Sequence, residues 1–277
     1  MEEGSMLYEY TSLLLHGLAS IRAEQMDTGL VPLAVWDGKP GDRRGGTATI
    51  VEHWRNVGCE VELIDLAQIL QRECPELAAR TSSAAAAPPE PLERPPEFAT
   101  QMSAILFADA VKFSQLTEEQ IPRFVRYFLG AIGELSSVSG HAPVMKNTWG
   151  DGLYFVFDSV RDAGQLALEL GDLMGRTNWA ESGLPEALNL RIALHAGPVY
   201  SCIDPVTRRP NYIGTHVSRA ARIEPITPPG RVYASQAFAA LAAAQRVGEF
   251  TCDYVGQTPL AKGYGTFPTY LVRRRNP

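Results

Sequence analysis

At 277 residues, 45% of them hydrophobic, and with a net charge of −6, the chain is long enough for two domains and too acidic for nucleic acid as a bulk partner. No apolar run approaches a membrane span and no basic flank leads into a signal-like core, so a cytoplasmic location is expected. Cys59, Cys74, Cys202 and Cys252 lie far apart without CxxC or Cys/His spacing, which argues against a zinc framework and for reduced thiols.

Residues 7–26 read as a helix, with Leu7, Leu14, Leu18 and Ile21 on one face. A strand-like run, LVPLAVW (30–36), leads into a Gly-rich loop, DGKPGDRRGGT. Thr47 is placed to cap a helix that runs to about Asn56; Gly58 ends it, and residues 61–64 read as a second strand. A β–loop–α–β unit normally builds a parallel sheet. The loop Gly45-Gly46-Thr47 at a helix N-terminus could hold a phosphate, although such turns more often serve only to turn the chain. It resembles the closing half of Rossmann-like nucleotide-sensor domains that carry a GG-x-GT-type loop. Residues 1–74 are therefore read as a partial α/β Rossmann-like segment with a regulatory role, either truncated or completed by another chain.

Residues 75–100 include TSSAAAAPPEPLERPPEF, rich in Ala and Pro. Such a stretch buries too little surface to fold and favours extended geometry, so it is read as a linker.

Residues 101–277 form the second domain. A strand at 103–108 delivers Asp109 at its end. The pattern TEEQ from Thr117 predicts a capping box, and Ile121, Phe124, Val125, Phe128, Leu129 and Ile132 a helical stripe. Residues 143–148 and 153–157 read as a hairpin around Trp149-Gly150-Asp151-Gly152. A helix is expected at 160–176 and a strand at 189–195, continued at 199–203. Residues 204–212 read as a polar excursion, followed by the short helix THVSRAARIE. A strand at 231–234, a helix from Ser235 and strands near 249–255 and 267–272 complete the domain. The plan is α+β, a ferredoxin-like βαββαβ with additions.

Asp109 and Asp151 lie 151 − 109 = 42 residues apart, room for the intervening helix. A sheet pairing their strands puts both carboxylates at one edge, close enough to share divalent cations. Either acid alone reads more simply as a turn former. His195, inside a strand, reads as a packed core histidine. His216 falls near the site but has no second His or Cys at ligand spacing.

The segments LFADAVKFSQL, KNTWGDGLYFVF, LRIALHAGPVY, YIGTHVSRAARIE, VYASQAF and PLAKGYGTFPTYLV follow one another through residues 101–273. In this order they resemble the catalytic domain of class III nucleotide cyclases, the adenylyl and guanylyl cyclases. The resemblance implies a head-to-tail homodimer that converts a nucleoside triphosphate to a 3′,5′-cyclic nucleotide and pyrophosphate. It implies two Mg²⁺ or Mn²⁺ ions per site, held by Asp109, Asp151 and the backbone carbonyl of Ala110. The loop from Val111 to Ser114, with Phe113, would wrap the phosphates. The other protomer would supply Arg222, which stabilises charge on the phosphate, and Ser218, one turn earlier on the same helix face. Lys262 matches the family's triphosphate-binding lysine.

Three positions depart from the family pattern. Ser218 stands where most members carry an Asn that orients the ribose. Asn147 and Asn211 stand at the base-reading positions, with Lys146 adjacent. An uncharged Asn pair donates and accepts, and so suits adenine, guanine or a pyrimidine edge. ATP is the favoured substrate; a cGMP-forming or cyclic-pyrimidine-forming enzyme, or a degenerate nucleotide-binding regulator, is the alternative.

Overall fold

The computed structural model describes residues 2–40, 45–76 and 98–275. Part of the Gly-rich loop (41–44) and most of the expected linker (77–97) lie outside the described residues.

An eight-stranded sheet organises the second half of the chain. Its strands are β3 (Ala99–Val111), β4 (Met145–Trp149), β5 (Gly152–Phe157), β6 (Asn189–Ile203), β7 (Pro210–Ile213), β8 (Val232–Ser235), β9 (Phe250–Pro259) and β10 (Thr266–Arg274). The order is β4-β5-β3-β6-β8-β10-β9, with β7 hydrogen-bonded to β6. β3 is antiparallel to both β5 and β6, which leaves the split βαβ arrangement expected of a ferredoxin-like core. The expected polar excursion at 204–212 instead ends in β7, which closes a hairpin on β6. Asp204 builds the turn: its carboxylate accepts from the N–H groups of Val206 and Thr207 at 2.8 Å each.

Alternation along β3 assigns the two faces. Ala104, Leu106, Ala108 and Ala110 enter the main core. Ile105 enters a smaller cluster on the other face, with Phe107 packed against it, and Asp109 follows on that same face. The main core is covered by α4, α5 (Val160–Arg176) and α7 (Gln236–Ala244). Here α4 comprises Gln120–Arg123, a π-helical turn Phe124–Leu129 and Gly130–Val138. The smaller clusters lie under α6 (Thr215–Ile223).

Helix ends follow their residues. Ser159 caps α5 by accepting from Arg161 N–H at 3.1 Å, and Ser235 caps α7 by accepting from Phe238 N–H at 3.1 Å. Half of the expected box forms at α4, where Thr117 N–H donates to Gln120 Oε1 at 3.0 Å. The π-turn changes the phase of the stripe. Phe124 and Phe128 stay buried and stack at 4.9 Å, whereas Val125, expected inside, is exposed.

In the first half, α1 (Glu2–Gln25), β1 (Leu33–Trp36), α2 (Thr47–Asn56), β2 (Glu62–Asp65) and α3 (Leu66–Glu73) succeed one another. β1 and β2 pair in parallel, as the β–loop–α–β reading requires. Thr47 is the first residue of α2 rather than its cap; Gly46 holds that position without a side-chain bond. The docked stripe of α1 also differs from expectation. Leu7 is exposed, Met6 is buried, and Tyr10, Leu13 and Ile21 pack against the main core.

Gly17 lies at the centre of that contact. A Cβ built there would stand 1.8 Å from the carbonyl oxygen of Ala240 in α7. Such an approach is open only to glycine, so Gly17→Ala must push the helices apart. We expect it to cost about 1–3 kcal/mol, read as a fall of several degrees in Tm. An unchanged Tm would mean that α1 docks elsewhere.

Candidate active site

β3 and β5 pair with Asp109 opposite Gly152, so Asp151 in the preceding turn falls beside the end of β3. The Ala110 N–H donates to the Asp151 carbonyl at 3.2 Å and ties the turn to the strand. Gly150 makes that turn possible at φ +66°, a conformation that strains other residues. The two carboxylates meet there. Burial raises the pKa of Asp151, and the neighbouring Asp109 carboxylate raises it further. Two half-buried carboxylates side by side supply the oxygen donors that a hard cation takes.

Hard divalent ions fit this donor set. Among the described residues no group of three or more His, Cys, Asp or Glu could hold a metal. The fit is therefore to ions that complete their shell with water and phosphate oxygens, as Mg²⁺ does.

The side chain paired with Asp109 is Arg191, its register partner on β6. The Arg191 guanidinium also approaches Glu224, with Nε 3.0 Å from Oε1. Neither residue emerges from the motif reading. Arg191 was nevertheless visible as the lone charge in the apolar run Leu190–Leu194, and Glu224 lies two residues past Arg222. Burial drives the Glu224 pKa up to about 7, against the lowering effect of Arg191; Asp109 and Asp151 push it further up.

Beyond β3, Lys112 takes a left-handed turn at φ +69° and starts a 3₁₀ turn, Phe113–Gln115. Phe113 is anchored: its ring packs 4.8 Å from that of Phe124. The exposed Ser114 leaves the loop facing solvent. On α6, Ser218 is exposed and Arg222 half-buried; among the described residues Arg222 makes no salt bridge. Lys262, exposed and at φ +59°, lies in the turn between β9 and β10.

Asn147 faces the same side as Phe107 and Asp109, opposite Tyr154, and its Oδ1 accepts from Thr148 N–H at 2.9 Å. Lys146 points the other way and donates to Ser136 and Ser137 on α4 at 3.3 and 3.2 Å, so it does not stand in for Asn147. Asn211 is held by Asp204, to which its Nδ2 donates at 3.2 Å. Trp149 is exposed and stacks with Phe107 and Tyr154 at 6.4 and 5.8 Å.

His195 is fully buried and lies 2.6 Å from Ser235 Oγ and 2.8 Å from His216 Nδ1. Burial lowers both imidazole pKa values, that of His216 to about 4. These stacked, hydrogen-bonded rings pack α6 against β6 and β8. Gly197 leaves room for the His216 ring, since a Cβ there would lie 2.2 Å from Nδ1.

The sequence model of the adenylate and guanylate cyclase catalytic domain matches residues 98–274. The chain belongs to this family. It is thus a class III nucleotide cyclase, a lyase, with the α+β fold of that domain. A search of curated proteins returned no match.

Solved structures similar to this cyclase include the adenylyl cyclase CyaB from P. aeruginosa, with 17% identity, a TM-score of 0.56, and coverage of 65% of this chain and 97% of that one. The guanylate cyclase domain of RhGC from Catenaria anguillulae, in complex with GTP, gives 20% identity and a TM-score of 0.54, covering 64% and 100%. The catalytic core of a rhodopsin-guanylyl cyclase with converted specificity, in complex with ATPαS, gives 21% and 0.54, covering 65% and 100%. At these identities the likeness concerns the fold. Among the described residues no helix is long and apolar enough to cross a membrane.

Proposed function

We propose that this cyclase converts ATP to 3′,5′-cyclic AMP and pyrophosphate at the interface of a homodimer, with two Mg²⁺ or Mn²⁺ ions per site. The observation that carries the reading is the junction of β3 with the Gly150-Asp151 turn, which brings Asp109 and Asp151 together. Bound there, the ions would lower the pKa of the 3′-hydroxyl and neutralise the triphosphate.

Asp109, Asp151 and the Ala110 carbonyl hold the cations, and the loop through Phe113 and Ser114 offers backbone N–H groups to the phosphates. Arg222, Ser218 and Lys262 act on the partner's substrate. Arg222 makes no described salt bridge, which leaves its fork for phosphate oxygens. Ser218 orients the ribose with a shorter reach than Asn. Adenine presents a donor and an acceptor on one edge, and a carboxamide matches both. Asn147 and Asn211 supply such groups.

Residues 1–74 are read as regulatory and 75–100 as the linker to the catalytic domain at 101–277. The Tyr10 ring on α1 meets His216 on α6 edge-on at 5.4 Å, a route from that segment to the helix of Arg222.

The decisive experiment presents the purified chain with ATP, GTP, UTP and CTP separately in Mn²⁺ and identifies products by mass spectrometry. Cyclic AMP alone is expected. A cyclic guanosine or pyrimidine product would reassign the base. No product from a demonstrated dimer would favour a nucleotide-binding regulator, with Ser218→Asn the first change to restore activity.

A further inference from the structure

Arg191 has no part in the reaction just described, yet it bridges two carboxylates with different duties. On one side it pairs with Asp109 of the cation site. On the other it meets Glu224, which opens the 3₁₀ turn directly after α6 and lies two residues beyond Arg222. All three side chains are largely buried, with 30%, 27% and 15% of Arg191, Asp109 and Glu224 exposed. One guanidinium therefore contacts two acids, Asp109 and Glu224, and its charge also reaches Asp151.

The two contacts are unequal. Arg191 donates a hydrogen bond from Nη2 to Asp109. Toward Glu224 the approach is close but poorly aligned, and both Arg191 Nε and Glu224 Oε1 are buried without a hydrogen-bond partner. A small shift of the guanidinium toward Glu224 would satisfy both atoms, and buried polar atoms are costly to leave unpaired.

A divalent cation on Asp109 and Asp151 would supply the push, since it repels the guanidinium at short range in a partly desolvated site. Glu224 ensures that Arg191 is not left as an unpaired buried charge when it lets go.

We propose that Arg191 is a transferable counter-ion. It holds Asp109 while the carboxylate pair lacks a cation and moves onto Glu224 when one binds. Loading of the cation site is thereby coupled to the end of the helix that carries Arg222. This inference rests on the cation-site reading of Asp109 and Asp151. With Arg222 serving the opposite site of a dimer, the exchange transmits cation binding from one site to the other. Arg191 and Glu224 are positioning residues in this scheme, because they act through Asp109 and through the helix of Arg222.

The test is Mn²⁺ binding to the full chain without nucleotide, followed by electron paramagnetic resonance of the free ion. Arg191→Met removes the competing cation and should tighten Mn²⁺ binding roughly tenfold. Glu224→Gln leaves Arg191 on Asp109 alone and should weaken binding by about as much. Arg191→Lys keeps the charge and should stay near wild type. Opposite signs are the signature, because a merely structural pair would weaken binding in both variants.

Weakening in both, or no change beyond about twofold in either, overturns the proposal. If Arg191→Met does not fold, Glu224→Gln must still weaken binding while Arg191→Lys stays close to wild type; any other result overturns it. Wild-type binding that survives Asp109→Ala and Asp151→Ala would instead refute the cation site itself, and the counter-ion with it.

Discussion

Asp109→Ala and Asp151→Ala are each expected to abolish cyclisation, with losses of at least about 10³-fold in kcat, or ~4 kcal/mol of transition-state stabilisation. The two variants should part company in stability. Asp109 is paired with Arg191, so its loss leaves that guanidinium with Glu224 alone. Asp151 has a raised pKa and therefore costs native stability when ionised at neutral pH. Its removal relieves a like-charge contact, and the Tm of Asp151→Ala should equal or exceed that of wild type. Inactivity in a protein at least as stable as its parent is the mark of a functional carboxylate rather than a structural one. Full turnover in either variant would sink the cation assignment.

Complementation between two dead protomers has the second largest effect. Asp151→Ala removes a cation carboxylate and Arg222→Ala removes the phosphate arginine. If each site takes one from each protomer, a mixed dimer keeps one intact site and one doubly damaged site. Random exchange makes about half of the dimers mixed, so activity should return to about a quarter of wild type from a background near zero. Initial rates on mixing the two purified variants provide the check. Without recovery, in mixtures shown to exchange subunits, both residues would belong to the same protomer's site.

The parts of this site that local pattern specifies were legible beforehand. Apolar alternation ending at Asp109 and the Trp149–Gly152 turn announced two strands with acids at their ends. Sheet pairing then did what the spacing implied. Val125 escaped because a π-turn adds a residue to the helical repeat, a shift that a 3.6-residue template does not carry. β7 escaped because four residues beside a polar turn give too little pattern to read. The Arg191–Glu224 contact was hidden for a different reason. Its members lie 224 − 191 = 33 residues apart on a strand and after a helix, and only the packing of α6 over the sheet brings them together. Lys146 beside Asn147 was ambiguous in one dimension. The pleat resolves it by sending the two side chains to opposite faces.

The seating of Gly17 against Ala240 also bears on how the chain acquires its fold. The two residues are separated by 240 − 17 = 223 positions. At ribosomal speeds of about 5–20 residues per second, α1 waits roughly 11–45 s for its groove to be synthesised. During that interval Tyr10, Leu13 and Ile21 have no native surface to cover them. Docking of α1 is then a late event of high contact order, which should slow refolding more than the local hairpins do. A newly made chain therefore passes through a stage at which the docking stripe of α1 is uncovered.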